Sequence, residues 1–194
     1  MRYLFVVILF SVLTSADNKV FSRVNSIDTS HFYSIVDKGQ FDTLKGSDFT
    51  WIIFQPINDT LSGDPERRAV SAGILTDKQK ALFYIWELER AVIGGELGFA
   101  NFYYNYKSYY SETVKALKLI NDTSMLKVVE GVNRVYLANK ASITQKFKTW
   151  DWKYIQRKFK PYDKAFIAQH EKTMKLLETF VRLHADEFVR FKNR

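Results

Sequence analysis

The chain has 194 residues, 46% hydrophobic and 26% charged, the balance of a folded globular protein. It has no cysteine, which excludes disulfides, thiolate metal sites, a cysteine nucleophile and lipidation at an N-terminal cysteine; three prolines and eight glycines argue against long coil and turn-rich all-β folds. The net charge of +8 is unevenly placed: residues 1–139 hold 15 Lys and Arg against 15 Asp and Glu, and residues 140–194 hold 14 against 6. A basic lobe on a neutral body suits an acidic partner, whether nucleic acid, anionic lipid headgroups or an acidic protein face. It equally suits a solvated helix surface tuned for solubility.

In chain order, Met1-Arg2-Tyr3 leads into Leu4 to Leu13, apolar except for Ser11, and Thr14-Ser15-Ala16 supplies small residues ahead of Asp17. A short positive region, an apolar core and a small-residue cleavage site make an export signal ending at Ala16. The apolar run is half the roughly 20 residues that a membrane span needs. The expected mature protein is periplasmic or secreted, of a size for one domain, and held by its core alone. No later segment is long and apolar enough to cross a bilayer.

Residues 17–46 are polar and mixed, with room for one or two short helices. Ser47 is placed to cap a helix carrying Trp51, Ile52 and Phe54, which ends before Pro56 or bends there. The alternation of Phe49, Trp51 and Ile53 also suits a strand. Asn58 to Asp64, with Pro65, reads as a loop. Thr76-Asp77-Lys78-Gln79 is a capping-box pattern. It opens a helix with Leu82, Ile85, Leu88 and Val92 at helical spacing, which Gly94-Gly95 ends. Further helices are marked by Phe99 to Tyr106, by Val114, Leu117 and Ile120, and by Met125 to Tyr136. A last pair is expected on either side of Pro161: one with Trp152, Ile155 and Phe159, and a long one from Phe166 to Phe188. The predicted fold is all-α, a single-domain helical bundle after the signal. Residues 17–74 are assigned to an extension packed on a domain spanning 75–194.

The histidines are His31, His170 and His184, and the last two are too far apart along a helix to share a metal. No phosphate-binding glycine loop, metal-ligand spacing or Gly-x-Ser-x-Gly frame is present, so no catalytic residue, metal or cofactor is assigned. Two aromatic-rich stretches stand out. From Phe99 to Tyr110 seven of twelve residues are aromatic, which suits a helical core or, if exposed, a stacking surface for bases or sugars. From Lys146 to Lys160, helical spacing sorts Trp152, Ile155 and Phe159 onto an apolar face and Lys153, Arg157 and Lys160 onto a basic stripe. That stripe is either an ordinary solvated face or a grip for polyanion phosphates. Asn58-Asp59-Thr60 and Asn121-Asp122-Thr123 are glycosylation sequons, relevant only in a eukaryotic source.

The segment from Leu75 to Lys140 resembles the bacterial DNA-mimic protein family. Leu75-Thr76-Asp77-Lys78-Gln79 matches the opening of that family's helix, and Gly94-Gly95 its glycine pair, with Ile93 in place of Asn. Phe99, Phe102 and Asn105 match its aromatic-and-Asn run, with Asn101 at a Gln position, and Ala116 to Ile120 its next helix. Phe180 to Val189 is similar to its C-terminal end. The resemblance implies an all-helical fold, a non-enzymatic role in binding a protein partner, and a homodimer. In the family's named member an acidic surface imitates DNA and occupies a DNA-binding regulator. This chain departs by inserting Glu96-Leu97-Gly98 after the glycine pair, by its basic charge, and by its export signal. Gly94 and Gly95 are expected to form a turn between two helices, one glycine being left-handed, with Asn105 satisfying backbone groups of the turn.

Overall fold

A computed structural model describes residues 32–192; residues 1–31, where the export signal is expected, and residues 193–194 lie outside the described residues. A short strand, β1 (Ser34–Val36), is followed by nine helices: α1 (Lys38–Thr43), α2 (Gly46–Thr60), α3 (Pro65–Ser71), α4 (Asp77–Val92), α5 (Phe99–Asn105), α6 (Tyr110–Leu119), α7 (Thr123–Ala138), α8 (Lys140–Lys148) and α9 (Trp152–Leu183). Strand β2 (Val189–Phe191) comes last. The fold is all-α, as the periodicity predicts, with one small sheet added.

Helix α4 is the central rod. It starts in the expected capping box: the Thr76 hydroxyl accepts from the Gln79 N–H, and the Gln79 side chain accepts from the Thr76 N–H, each at 3.2 Å. Its residues from Ala81 to Ile85 are all buried, as are Glu87, Leu88, Ala91 and Val92, because α2, α5 and α6 pack around it. A helix covered on nearly every side must satisfy any charge it carries. Glu87, fully buried, does so by pairing with Arg68 at 2.7 Å and Arg90 at 2.6 Å. Arg68 also donates to the carbonyls of Leu61 and Asn58 and to the Asn58 side chain.

Helix α9 crosses α7, α2, α5 and α8 and ties the bundle together. It runs unbroken through Pro161 for 32 residues, about 48 Å. The break expected there does not occur. Pro161 is exposed, so the bond it cannot make is lost on the solvent side while the buried face continues through Phe159 and Phe166. Helix α2 likewise runs through Pro56. The carbonyl that Pro56 leaves without a helical donor is that of Ile52, and the Ser34 hydroxyl donates to it at 3.0 Å. The strand reading of this segment and the cap at Ser47 are both replaced: Lys45 is the N-cap, and the Glu178 carboxylate accepts from the Gly46 N–H at 2.6 Å.

Strands β1 and β2 pair in parallel, Ser34 with Val189 and Val36 with Phe191. Residues 32–61 contribute Phe32, Val36, Phe41, Phe49, Ile53, Ile57 and Leu61 to the same core as α4–α9, and the described residues from Phe32 onward form one unit. Arg182 near the end of α9 donates to the carbonyls of Phe41 and Leu44 and lies 3.9 Å from the centre of the Phe49 ring. Close approach of α7 and α9 depends on Gly131, where a Cβ would stand 2.6 Å from the Tyr162 ring.

Candidate functional site

The turn after α4 is built differently from its sequence reading. Neither Gly94 nor Gly95 has a positive φ; Gly98 does, with φ +56° and ψ −137°, a backbone conformation that side-chain-bearing residues rarely adopt. The reason is its neighbour: a Cβ on Gly98 would fall inside the Asp163 carboxylate, which accepts from the Phe99 N–H at 2.8 Å and so caps α5 from α9. Burial pushes the Asp163 carboxyl up from the usual carboxylate range, and the Phe99 bond opposes that. Gly94 and Gly95 are needed for space instead. A Cβ on Gly94 would lie 2.7 Å from the Arg90 carbonyl, and one on Gly95 would lie 3.3 Å from the Asn101 amide. The side chain that reaches the turn backbone is that of Asn101, which donates to the Ala91 carbonyl at 2.8 Å. Asn105 donates to Asn101 at 2.7 Å and holds it in place, so Asn105 acts on the turn through a neighbour. Gly94, Gly95 and Asn105 thus share one local structure.

The basic stripe lies elsewhere. Lys153, Arg157 and Lys160 are all exposed on the outer face of α9, while Ile155 and Phe159 on the opposite face are buried and Trp152 is half-buried. Among the described residues, none of these three cations is in an ion pair, whereas the neighbouring Lys146 pairs with Asp151 at 2.8 Å. Positive potential gathers around Tyr154: Lys146, Lys158 and Arg157 stand 5.4, 5.5 and 5.8 Å from its ring centre. The neighbouring Ser142 hydroxyl and the charges of Lys158, Lys146 and Arg157 pull its phenol below the ordinary tyrosine value.

Next to the stripe, the two aromatic stretches meet. The structure splits the Lys146–Lys160 stretch at Trp150, between α8 and α9. Tyr103, Tyr104 and Lys107 on one side, with Phe147, Lys148 and Trp150 on the other, line an open cleft of about 410 Å³. Its floor is the stacked pair Tyr103 and Tyr136, 4.3 Å apart, and burial pushes the Tyr103 phenol up. At its mouth the Tyr104 ring lies 5.1 Å from Phe147, 5.2 Å from Trp152 and 6.0 Å from Trp150. Of the seven aromatics between Phe99 and Tyr110, four are buried and two half-buried; only Tyr104 is exposed. No carboxylate lines the cleft, and both of its charged residues are lysines.

Trp150 is the residue that sequence reading missed. It is 64% exposed and left-handed, with φ +55°. The end of α8 explains the angle: Asp151 N–H donates to the Lys146 carbonyl at 3.0 Å and Trp150 N–H to that of Phe147 at 3.3 Å. This pattern closes a helix through one left-handed residue, normally glycine. The end of α6 closes in the same way on Asn121, φ 58°, a residue type that tolerates the angle. A tryptophan there costs about 1–2 kcal/mol, and an exposed indole recovers little of that by burial. The available signal was Asp151, which caps α9 by accepting from the Tyr154 N–H at 3.1 Å. A helix start at that point requires a turn just before it.

The aromatic, lysine-bearing cleft thus sits on a mainly helical scaffold. The sequence profile of the DMP19-like (DNA mimic protein 19-like) family matches residues 74–184, from the end of the short turn before α4 to His184 at the end of α9. The chain belongs to this family. No curated protein and no solved structure matches it.

Proposed function

We propose that this chain is an exported, non-enzymatic helical interaction module that holds an acidic partner through the basic face of α9. The carrying observation is that Lys153, Arg157 and Lys160 stand exposed and outside any ion pair among the described residues. A surface that imitates DNA must be acidic to stand in for phosphates. Within the family-matched residues 74–184 this chain instead holds 19 Lys and Arg against 11 Asp and Glu. Such a surface repels a basic DNA-binding face and attracts an acidic one, so the family fold is kept and its charge logic inverted. Export is supported by the N-terminal pattern from Met1 to Ala16.

The test is binding to heparin across a salt series. The full chain should bind, and its affinity should fall steeply with salt. The variant K153Q/R157Q/K160Q should bind far more weakly, with a slope shallower by about 2–3 in log K against log salt. Heparin binding that is absent, or unchanged in the variant, would refute the reading. N-terminal sequencing of protein recovered from outside the cytoplasm should begin at Asp17.

A further inference from the structure

Resting on that reading of the basic face, we infer that the acidic partner is single-stranded nucleic acid, with one unstacked base lodged in the cleft at Tyr104, Phe147 and Trp150 and the flanking phosphates drawn to Lys107, Lys148 and the α9 stripe.

Three observations converge on this ligand. The first is the lining. Tyr104 and Trp150 are exposed and Phe147 half-buried, tilted to one another around the cleft, and aromatic faces left open in this way accept a planar ring; their use for unpaired bases is sequence-tolerant because every base has a π-face. The cleft, about 410 Å³ and open, suits a single ring system and not a duplex. The second is charge. The cleft has lysines at its edge and no acid in its lining, and the next turn of chain begins the stripe of Lys153, Arg157 and Lys160. A neutral sugar would gain nothing from those cations. The acidic side chains of a protein segment would gain little from the rings. A nucleotide uses both, with its base on the aromatics and its phosphates on the lysines. The third is Trp150 itself. Its backbone angle is one that glycine takes without cost, and its side chain is mostly in solvent. With 64% of its surface in solvent, the indole offsets only part of that strain by packing, and strained residues gather at ligand-binding positions. The angle projects the indole beside Tyr104 and Trp152, 6.0 and 5.8 Å away.

Competition is read with the full chain, a fluorescently labelled oligothymidylate, a DNA duplex of the same length, and heparin. The oligothymidylate should bind at least about tenfold tighter than the duplex and should quench tryptophan fluorescence. Trp150→Ala and Tyr104→Ala should each weaken oligothymidylate binding roughly five- to hundred-fold, the worth of one stacked base. Both variants should leave heparin affinity within twofold. Trp150→Gly guards against misfolding, since it relieves strain; it should melt no lower than the parent and still lose the oligothymidylate. Equal affinity for strand and duplex, or ring variants that bind the strand as the parent does, would overturn the inference. Heparin binding that still depends on Lys153, Arg157 and Lys160 would then leave the basic-face reading standing. Loss of all polyanion binding would remove both.

Discussion

Gly98 and Trp150 hold almost the same backbone angle, φ +56° and +55°, in two regions that use it to opposite ends. At Gly98 the chain is buried, a carboxylate from α9 occupies the space where a Cβ would be, and that carboxylate caps the next helix. The angle is the price of a tight structural join. At Trp150 the side chain is in solvent among other rings and lysines, and a glycine would close α8 more easily. The comparison separates two sources of strain. One is imposed by packing, and the other is carried by a residue whose value lies in what it displays.

Substitutions can break or sharpen that contrast. The largest effect belongs to the packed region. Glu87→Ala leaves Arg68, 6% exposed at its side chain, as an uncompensated buried charge. The expected loss is about 3–5 kcal/mol, read by urea unfolding; a loss below about 1 kcal/mol would mean that water reaches the pair. Next come the two positive-φ residues themselves. Gly98→Ala forces a Cβ into the Asp163 carboxylate as well as a disfavoured angle, and should cost about 2 kcal/mol or more. Trp150→Gly should have the opposite sign, gaining about 1 kcal/mol and raising Tm. If both variants lower Tm alike, the two regions are not distinct.

The smallest effect is one of pH. Burial raises the Asp163 carboxyl, so its folded value lies above its unfolded one. A raised group contributes stability that is fully present below the unfolded value and is lost as pH rises through the folded one. Asp163→Asn mimics the neutral form and can still accept from Phe99. Its Tm relative to the parent should therefore be most favourable near neutral pH and should fall back as pH drops below the carboxylate range. A Tm difference that stays flat with pH would mean that Asp163 titrates as if in water.

Legibility in the sequence followed the range of the physics involved. The capping box at Thr76 and Gln79 and the helices from Leu82 to Tyr136 rest on neighbours within four residues, and these were read as they stand. The basic stripe was also readable, because one helix face carries it. The unbroken course of α9 was not, since whether Pro161 breaks a helix depends on which side meets solvent, and only the packed bundle decides that. Pro56 is similar: its orphaned Ile52 carbonyl is satisfied by Ser34, from a different element. The glycine pair drew attention as the obvious left-handed turn, but the residue needing a positive φ is Gly98, selected by Asp163 some 65 positions away. Trp150 left no glycine to mark its turn, and the cleft exists only because α5 and the α8–α9 junction meet.

The pairing of β1 with β2 has a consequence for how the molecule comes into being. Ser34 has its strand partner at Val189, Gly46 is capped by Glu178, and the C-terminal end of α1 is held by Arg182. A ribosome releases the first of each pair long before it makes the second. The opening segment of the described chain must therefore wait for α9 and β2 to be made before it has its docking surface, while α4 to α7 can begin to pack on local contacts. Closure of the bundle waits on α9 and β2, and until then Phe32, Phe41 and Phe49 are open to whatever escorts a nascent chain.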